Sequence, residues 1–148
     1  MDIRDLDPIV RRALDEDLPD ITSEAIFEPS DRGRAKFLVK ASGILAGLEF
    51  AAATFAAIDP SSSFDPKRKD GDEVEAGNVV AEVEASVIGL LAGERTVLNL
   101  MQRASGIATA TRRYVEARSE EHTSNSSHVS ISYAVFCLKK KRIGRSRR

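Results

Sequence analysis

Two spacings of apolar residues alternate along this chain. Ile9, Val10, Ala13 and Leu14 recur at helical intervals, with Asp15, Glu16 and Asp17 on the polar side. Asp7-Pro8 reads as the start of that helix, Asp7 capping and Pro8 at the first helical position. The stretch from Leu18 to Ser23 (LPDITS) ends it and turns the chain. Between Ala35 and Ala41, Phe37 and Val39 share a face, which predicts a strand. A bend from Gly43 to Gly47 follows. The run LEFAAATFAAI then puts Leu48, Ala52, Phe55 and Ile58 on one inward stripe of a helix closed by Asp59-Pro60.

The two-residue period returns after the serines at 61–63. Phe64 to Lys69 predicts a short strand, with turns at Asp70-Gly71 and Ala76-Gly77 on either side of Val74. Val79 to Ala85 alternates cleanly and leaves Glu82 and Glu84 outside. From Val87 the helical period runs through Ile88, Leu91, Val97, Leu98, Met101, Ile107, Tyr114 and Val115. Ser105-Gly106 is expected to divide that stretch into two helices ending near Ala117. A helix, two strand clusters around a second helix and a long helical exit make an α+β domain.

Composition divides the chain more sharply than periodicity does. Of its 148 residues, 42% are hydrophobic and 30% charged, enough for one cored domain. The net charge of -1 averages two opposites. Residues 1–117 hold 14 Lys/Arg and 21 Asp/Glu, a net of −7; residues 118–148 hold 8 and 2, a net of +6. An acidic body argues against a nucleic-acid or membrane surface. His122, His128 and Cys137 all lie in the second part, so the body has no zinc site of the His/Cys kind, no Cys nucleophile and no Ser-His-Asp triad. A lone cysteine allows no internal disulfide, and the charged start MDIRDLDPIV has no signal-peptide core. No apolar run approaches the ~18 residues of a membrane span. The expected location is cytoplasmic.

Residues 118–148 read RSEEHTSNSSHVSISYAVFCLKKKRIGRSRR: serine-rich, then a single apolar run, then basic. By composition this is a disordered basic tail with a short strand. A nucleic-acid-binding arm fits less well, because the body is acidic and no aromatics interleave with the basic residues. A third reading is that the tail is not native. Arg118 to Ser124 (RSEEHTS) back-translates to AGATCGGAAGAGCACACGTCT, the opening of a common short-read sequencing adapter. The expected organisation is therefore a domain at 1–117 and a foreign tail at 118–148.

Candidate chemistry centres on Glu94-Arg95-Thr96, with Asn99 and Gln102 beyond. Arg95 lies among apolar helix positions, where a guanidinium either grips a carboxylate or phosphate with paired donors or serves Glu94 or Asn99 within the helix. Asp20 and Thr22 read as turn and capping residues rather than catalysts. Glu82 and Glu84 read as a solvated strand face. Arg112-Arg113 reads as a solvated helix end, with a phosphate contact as the functional alternative.

The words around Arg95 resemble a known family. LLAGERTVLNLMQRASGIATATRRYV is similar to the helical connector of quinolinate phosphoribosyltransferases, with its pattern L-L-x-x-E-R-T-x-L-N followed by S-G-I-A-T. Leu14 to Ser23 resembles that family's E-D-x-x-x-x-D-x-T-[ST] stretch, Gly43 to Glu49 its G-x-[IL]-[AC]-G pattern, and Asp70 to Gly77 its D-G-D-x-[VI]-x-x-G turn. The resemblance runs in order from about Asp5 to Ala117. It implies an α/β-hammerhead-like N-terminal domain of barrel-sandwich strands and helices, leading by its connector to an α/β barrel that this chain lacks. It implies a homodimer, or a hexamer, in which the arginine of E-R-T reaches the partner's quinolinate carboxylates. Arg95 matches that arginine. The implied reaction joins quinolinate and phosphoribosyl pyrophosphate, with Mg2+, to give nicotinate mononucleotide, carbon dioxide and pyrophosphate. The family's T-R-K-T, N-H-R and K-x-N-H stretches are absent, so neither catalytic residues nor a metal site are expected in this fragment.

Three rivals stand beside it. A molybdenum-utilisation protein of the same superfamily would differ in the missing barrel. A lipoyl or biotinyl carrier shares the turn between Asp70 and Ala85, but needs a lysine just after it, where Val83 to Val87 has none. The third is a pure dimerisation module.

Overall fold

A computed structural model of the chain describes residues 3–15, 18, 21–121 and 136–142. In order, the elements are α1 (Ile3–Leu14), α2 (Ile21–Ile26), β1 (Arg32–Val39), β2 (Gly43–Ile44), α3 (Leu48–Ile58), β3 (Ser63–Pro66), β4 (Glu73–Val74), β5 (Val79–Ser86), α4 (Val87–Glu121) and β6 (Phe136–Arg142). An antiparallel sheet of order β3-β5-β1-β6 carries the helices on one face, and β2-β4 forms a small second sheet. This is the α+β arrangement expected.

The alternation of β1 and β5 sets the core. Ala35, Phe37 and Val39 point inward with Val80, Ala81, Val83 and Ala85, all buried. Val80 and Ala81 are both buried although consecutive, because the register shifts between Phe37 and Leu38 and lets the strand turn an extra residue inward. Phe37 meets Phe55 of α3 and Phe64 of β3 edge-on, at centroid distances of 6.3 and 5.9 Å. On the outer face the same register places Arg34 opposite Glu84 and Lys36 opposite Glu82, and each pair closes an ion pair, at 2.8 and 2.9 Å.

The helices depart from expectation at several points. α1 starts at Ile3 rather than after Asp7, and Pro8 sits inside it. There it forfeits the hydrogen bond to the Arg4 carbonyl and its ring crowds that carbonyl, costs confined to the first two turns of the helix. The predicted turn around Ile21 is the short helix α2. Glu16 and Asp17, expected on the polar side of the first helix, and Asp20, expected in the turn, lie outside the described residues. In α3, Ala51 and Thr54 join Leu48 and Phe55 in the buried stripe, whereas Ala52 and Ile58 are half-buried. The expected break at Ser105-Gly106 does not occur: α4 is continuous over 35 residues. Both residues are buried, and the Ser105 hydroxyl bonds the Ala46 backbone just after β2.

The helix also runs past Ala117 to Glu121, and Phe136–Arg142 forms β6 along the outer edge of β1. That strand overlaps the end of the tail's apolar run and its basic cluster. Pairing there satisfies backbone groups that an open edge would leave to water.

Asp59, just after α3, ties three elements together. Its carboxylate accepts from the Ser61 hydroxyl and N–H, from the Ser86 N–H at the end of β5, and from Arg32 at the start of β1. The Ser61 hydroxyl leads the cause, and these donors together hold the Asp59 carboxyl at about 2 despite the opposing effect of burial. A carboxyl depressed on folding stabilises fully above its ordinary value and loses that contribution as pH falls through the depressed one. Asp59→Ala is therefore expected to cost about 1–2 kcal/mol at neutral pH. Urea midpoints of variant and parent should converge between pH 4 and pH 2; a gap independent of pH contradicts the assignment.

Candidate functional site

α4 carries the candidate arginine, and several contacts decide how it is held. β5 runs straight into it. The Ser86 hydroxyl accepts the Gly89 N–H at 3.1 Å, capping the first turn, and the Val87 N–H bonds the Asp31 carbonyl. Gly89 and Gly93 then bring the helix down on α3. A Cβ at Gly93 would stand 3.0 Å from both Ile58 Cδ1 and Phe55 Cε1. Leu90, Val97 and Met101 fill the space beneath.

The second half of α4 is fastened by hydroxyls. Ser105 Oγ accepts the Ala46 N–H at 2.9 Å and donates to the Ala46 carbonyl at 3.0 Å. Thr109 Oγ1 accepts the Ile44 N–H at 2.8 Å and donates to its own helix at the Ser105 carbonyl, 2.7 Å away. The segment it grips is itself locked to the turn at 70–72. Leu45 exchanges backbone bonds with Asp72 and Gly71, and Asp70 accepts the Gly47 and Leu48 N–H groups at the start of α3. Gly47 and Gly71 adopt φ of 100° and 95°, a conformation that costs a side-chain-bearing residue energy. The three motif stretches that look separate in sequence (Gly43 to Glu49, Asp70 to Gly77 and Ser105 to Thr109) are one interlocked support.

Arg95 is exposed on α4, with Asn99 and Arg103, also exposed, one and two turns on. Farther along, Ile107, Tyr114 and Val115 are 61%, 62% and 58% exposed. An exposed guanidinium on a rigid helix suits anion binding and does not suit proton transfer at neutral pH.

The other residues singled out in the sequence behave as surface. Lys36 holds Glu82 below the ordinary carboxylate range, and the Glu84 hydrogen bond raises Arg34. Lys67 pairs with Asp65 and is raised by it. Arg112 pairs with Glu116 at 3.7 Å, while Thr22 is exposed on α2. Arg112 and Arg113 line one cleft with Glu73, Glu116, Ile44 and Thr109, which balances two cations with two carboxylates. Among the described residues, no three His, Cys, Asp or Glu side chains stand together as metal ligands. No helix among them is long and apolar enough to cross a membrane. The stretch after β5 is a helix start rather than the lysine-bearing hairpin of a carrier domain.

Sequence reasoning missed Ser105, Thr109, Asp59 and Asp70. For the first two a signal existed: hydroxyls four residues apart on the buried side of an otherwise apolar helix, a pattern that asks where their hydrogen bonds go.

Sheet, helices and interlocked turns define the N-terminal domain of a phosphoribosyltransferase, and a family model described as "Quinolinate phosphoribosyl transferase, N-terminal domain" matches residues 20–105. The chain belongs to the quinolinate phosphoribosyltransferase family. It is 45% identical over 86 residues to a probable carboxylating nicotinate-nucleotide pyrophosphorylase of Synechocystis, covering 58% of this chain and 29% of that one. It is 40% identical over 102 residues to a similarly named Bacillus subtilis protein, covering 69% and 35%. Among solved structures, NadC from Streptococcus pyogenes aligns with a TM-score of 0.76 at 36% identity, over 79% of this chain and 42% of that one. The chain spans about a third of the length of the curated relatives it matches.

Asp70 offers a check on the support. Removing its carboxylate frees two N–H groups at the start of α3, and Asp70→Ala is expected to cost about 1–2 kcal/mol. Thermal unfolding followed by circular dichroism measures it; an unchanged midpoint contradicts the role.

Proposed function

We propose that this chain is the N-terminal part of an enzyme that converts quinolinate and phosphoribosyl pyrophosphate to nicotinate mononucleotide, carbon dioxide and pyrophosphate. The observation that carries the reading is Arg95, exposed on α4 within the E-R-T word of a domain whose family is established. In this reading two chains form a homodimer, and Arg95 of one grips the quinolinate carboxylates bound by the other. Its role is electrostatic: a fixed cation with paired donors facing a dianion. Magnesium and the groups that act on the ribose belong to the part of the enzyme this chain does not contain. The proposed location is the cytoplasm.

The tail falls outside this enzyme. Residues 118–148 are read as translated adapter, which sequencing reads across the codons for 112–125 decide: clean genomic reads through that junction overturn it.

Two measurements test the enzyme reading. The purified 148-residue chain is expected to form no nicotinate mononucleotide from the two substrates, and measurable turnover would refute the claim that its catalytic part is missing. In a chain whose residues 1–117 are continued by the remainder of a family member, Arg95→Ala should raise the quinolinate KM by roughly tenfold to a hundredfold, the loss of one to two charge-assisted hydrogen bonds. An unchanged KM makes Arg95 structural.

A further inference from the structure

The contacts beneath Arg95 are predominantly apolar. Against α3 the helix rests on Gly89 and Gly93, and against the segment before α3 Ala104 and the Met101 backbone come close to Gly47. Leu90, Val97 and Met101 fill the rest of that buried face, and apolar packing attracts without direction, so by itself it is not a strict constraint on rotation about the helix axis. Directional bonds specify it well. Ser105 and Thr109 supply them, each bonding a backbone group of a segment that is fixed independently by Asp70, Gly71 and Asp72. Both side chains are buried, at 0% and 5% exposure, so water does not compete for these bonds.

Rotation matters to Arg95 because α4 is continuous from Val87 to Glu121. A side chain reaching about 6 Å from a helix axis swings by about 1 Å for every 10° of rotation. Displacements of that size are known to cost up to about a hundredfold where a binding group must meet its ligand in fixed geometry. Resting on the reading of Arg95 given above, we infer that Ser105 and Thr109 are positioning residues for it: their hydroxyls set the rotation of α4 and so the direction in which Arg95 is presented.

The pair Thr109→Val and Thr109→Ser isolates the hydroxyl, since valine keeps the shape and serine keeps the bonds. In the chain extended with the remainder of a family member, Thr109→Val is expected to raise the quinolinate KM about fivefold or more while kcat stays within about twofold, and Thr109→Ser to restore it. Circular dichroism at the assay temperature checks that the variant is folded. If Arg95→Ala raises KM but folded Thr109→Val does not, the positioning role is overturned and the reading of Arg95 stands. If Arg95→Ala leaves KM unchanged, that reading falls and this inference with it. A second measurement uses the 148-residue chain. Backbone amide resonances of Arg95 and Asn99, more than two turns from the substitution, should shift in Thr109→Val and return in Thr109→Ser. Changes confined to Ile44 and the turn around residue 109 would show a local structural role and overturn the inference.

Discussion

The grip of Ser105 and Thr109 on the backbone of Ile44 and Ala46 is the constraint from which the arrangement follows. Four hydrogen bonds, three of them crossing between segments about sixty residues apart, join the long helix to a segment with almost no regular structure of its own. That segment would be a poor anchor alone. It becomes rigid because Leu45 pairs with the turn at 70–72 while Asp70 reaches back to the start of α3. Each partner is short and polar, and each satisfies a backbone group that burial would otherwise leave unpaired. The apolar core supplies the larger share of the stability; these bonds add direction, tying α4 to particular backbone groups.

The opposite end of α4 is set by a different device with the same logic. Asp59 fixes the Ser86 N–H, the Ser86 hydroxyl caps the first helical turn, and Arg32 closes the link to the first residue of β1. A helix of 35 residues is thus held near both ends of its buried half by side-chain to backbone bonds, with glycines between them allowing close approach to α3. Its outer face presents Arg95, Asn99 and Arg103. Separation of a held face from a presenting face is what an anion-binding arginine requires, since a mobile support would lose in entropy what the ion pair contributes.

How much of this the sequence discloses depends on the range of the interaction. Strands β1 and β5 and helix α3 follow from local periodicity, and their observed bounds differ by a few residues at most. The glycine turns at 71 and 77 are legible because a left-handed backbone asks for glycine wherever it occurs. The Ser105-Gly106 pair misleads, since locally it resembles a helix break and only the distant Ala46 backbone shows what the Ser105 hydroxyl bonds. Pro8 misleads for the converse reason: a strong local rule yields where few bonds are at stake. Arg95 is legible only through its motif. Spacing alone favours a partner within the helix, Glu94 or Asn99, or a helix-packing arginine, and exposure in the fold adds a direction without adding a ligand.

The strand β6 shows why a seat in a sheet says little about the origin of the segment that takes it. Ladder bonds join backbone to backbone, and any segment able to extend can make them. β1 offers its outer edge over seven consecutive positions, from Gly33 to Val39, and residues 136–142 meet all seven. The inner partner of β1 is specified otherwise. There Arg34 and Lys36 find Glu84 and Glu82 on one face while Phe37 and Val39 find the core on the other, so a slip of one residue would bury charge and expose the core. Specificity of that kind ties β5 to β1 as parts of one domain. Backbone pairing at the outer edge imposes no such test, which is why an ordered strand there is compatible with a foreign tail on a family domain.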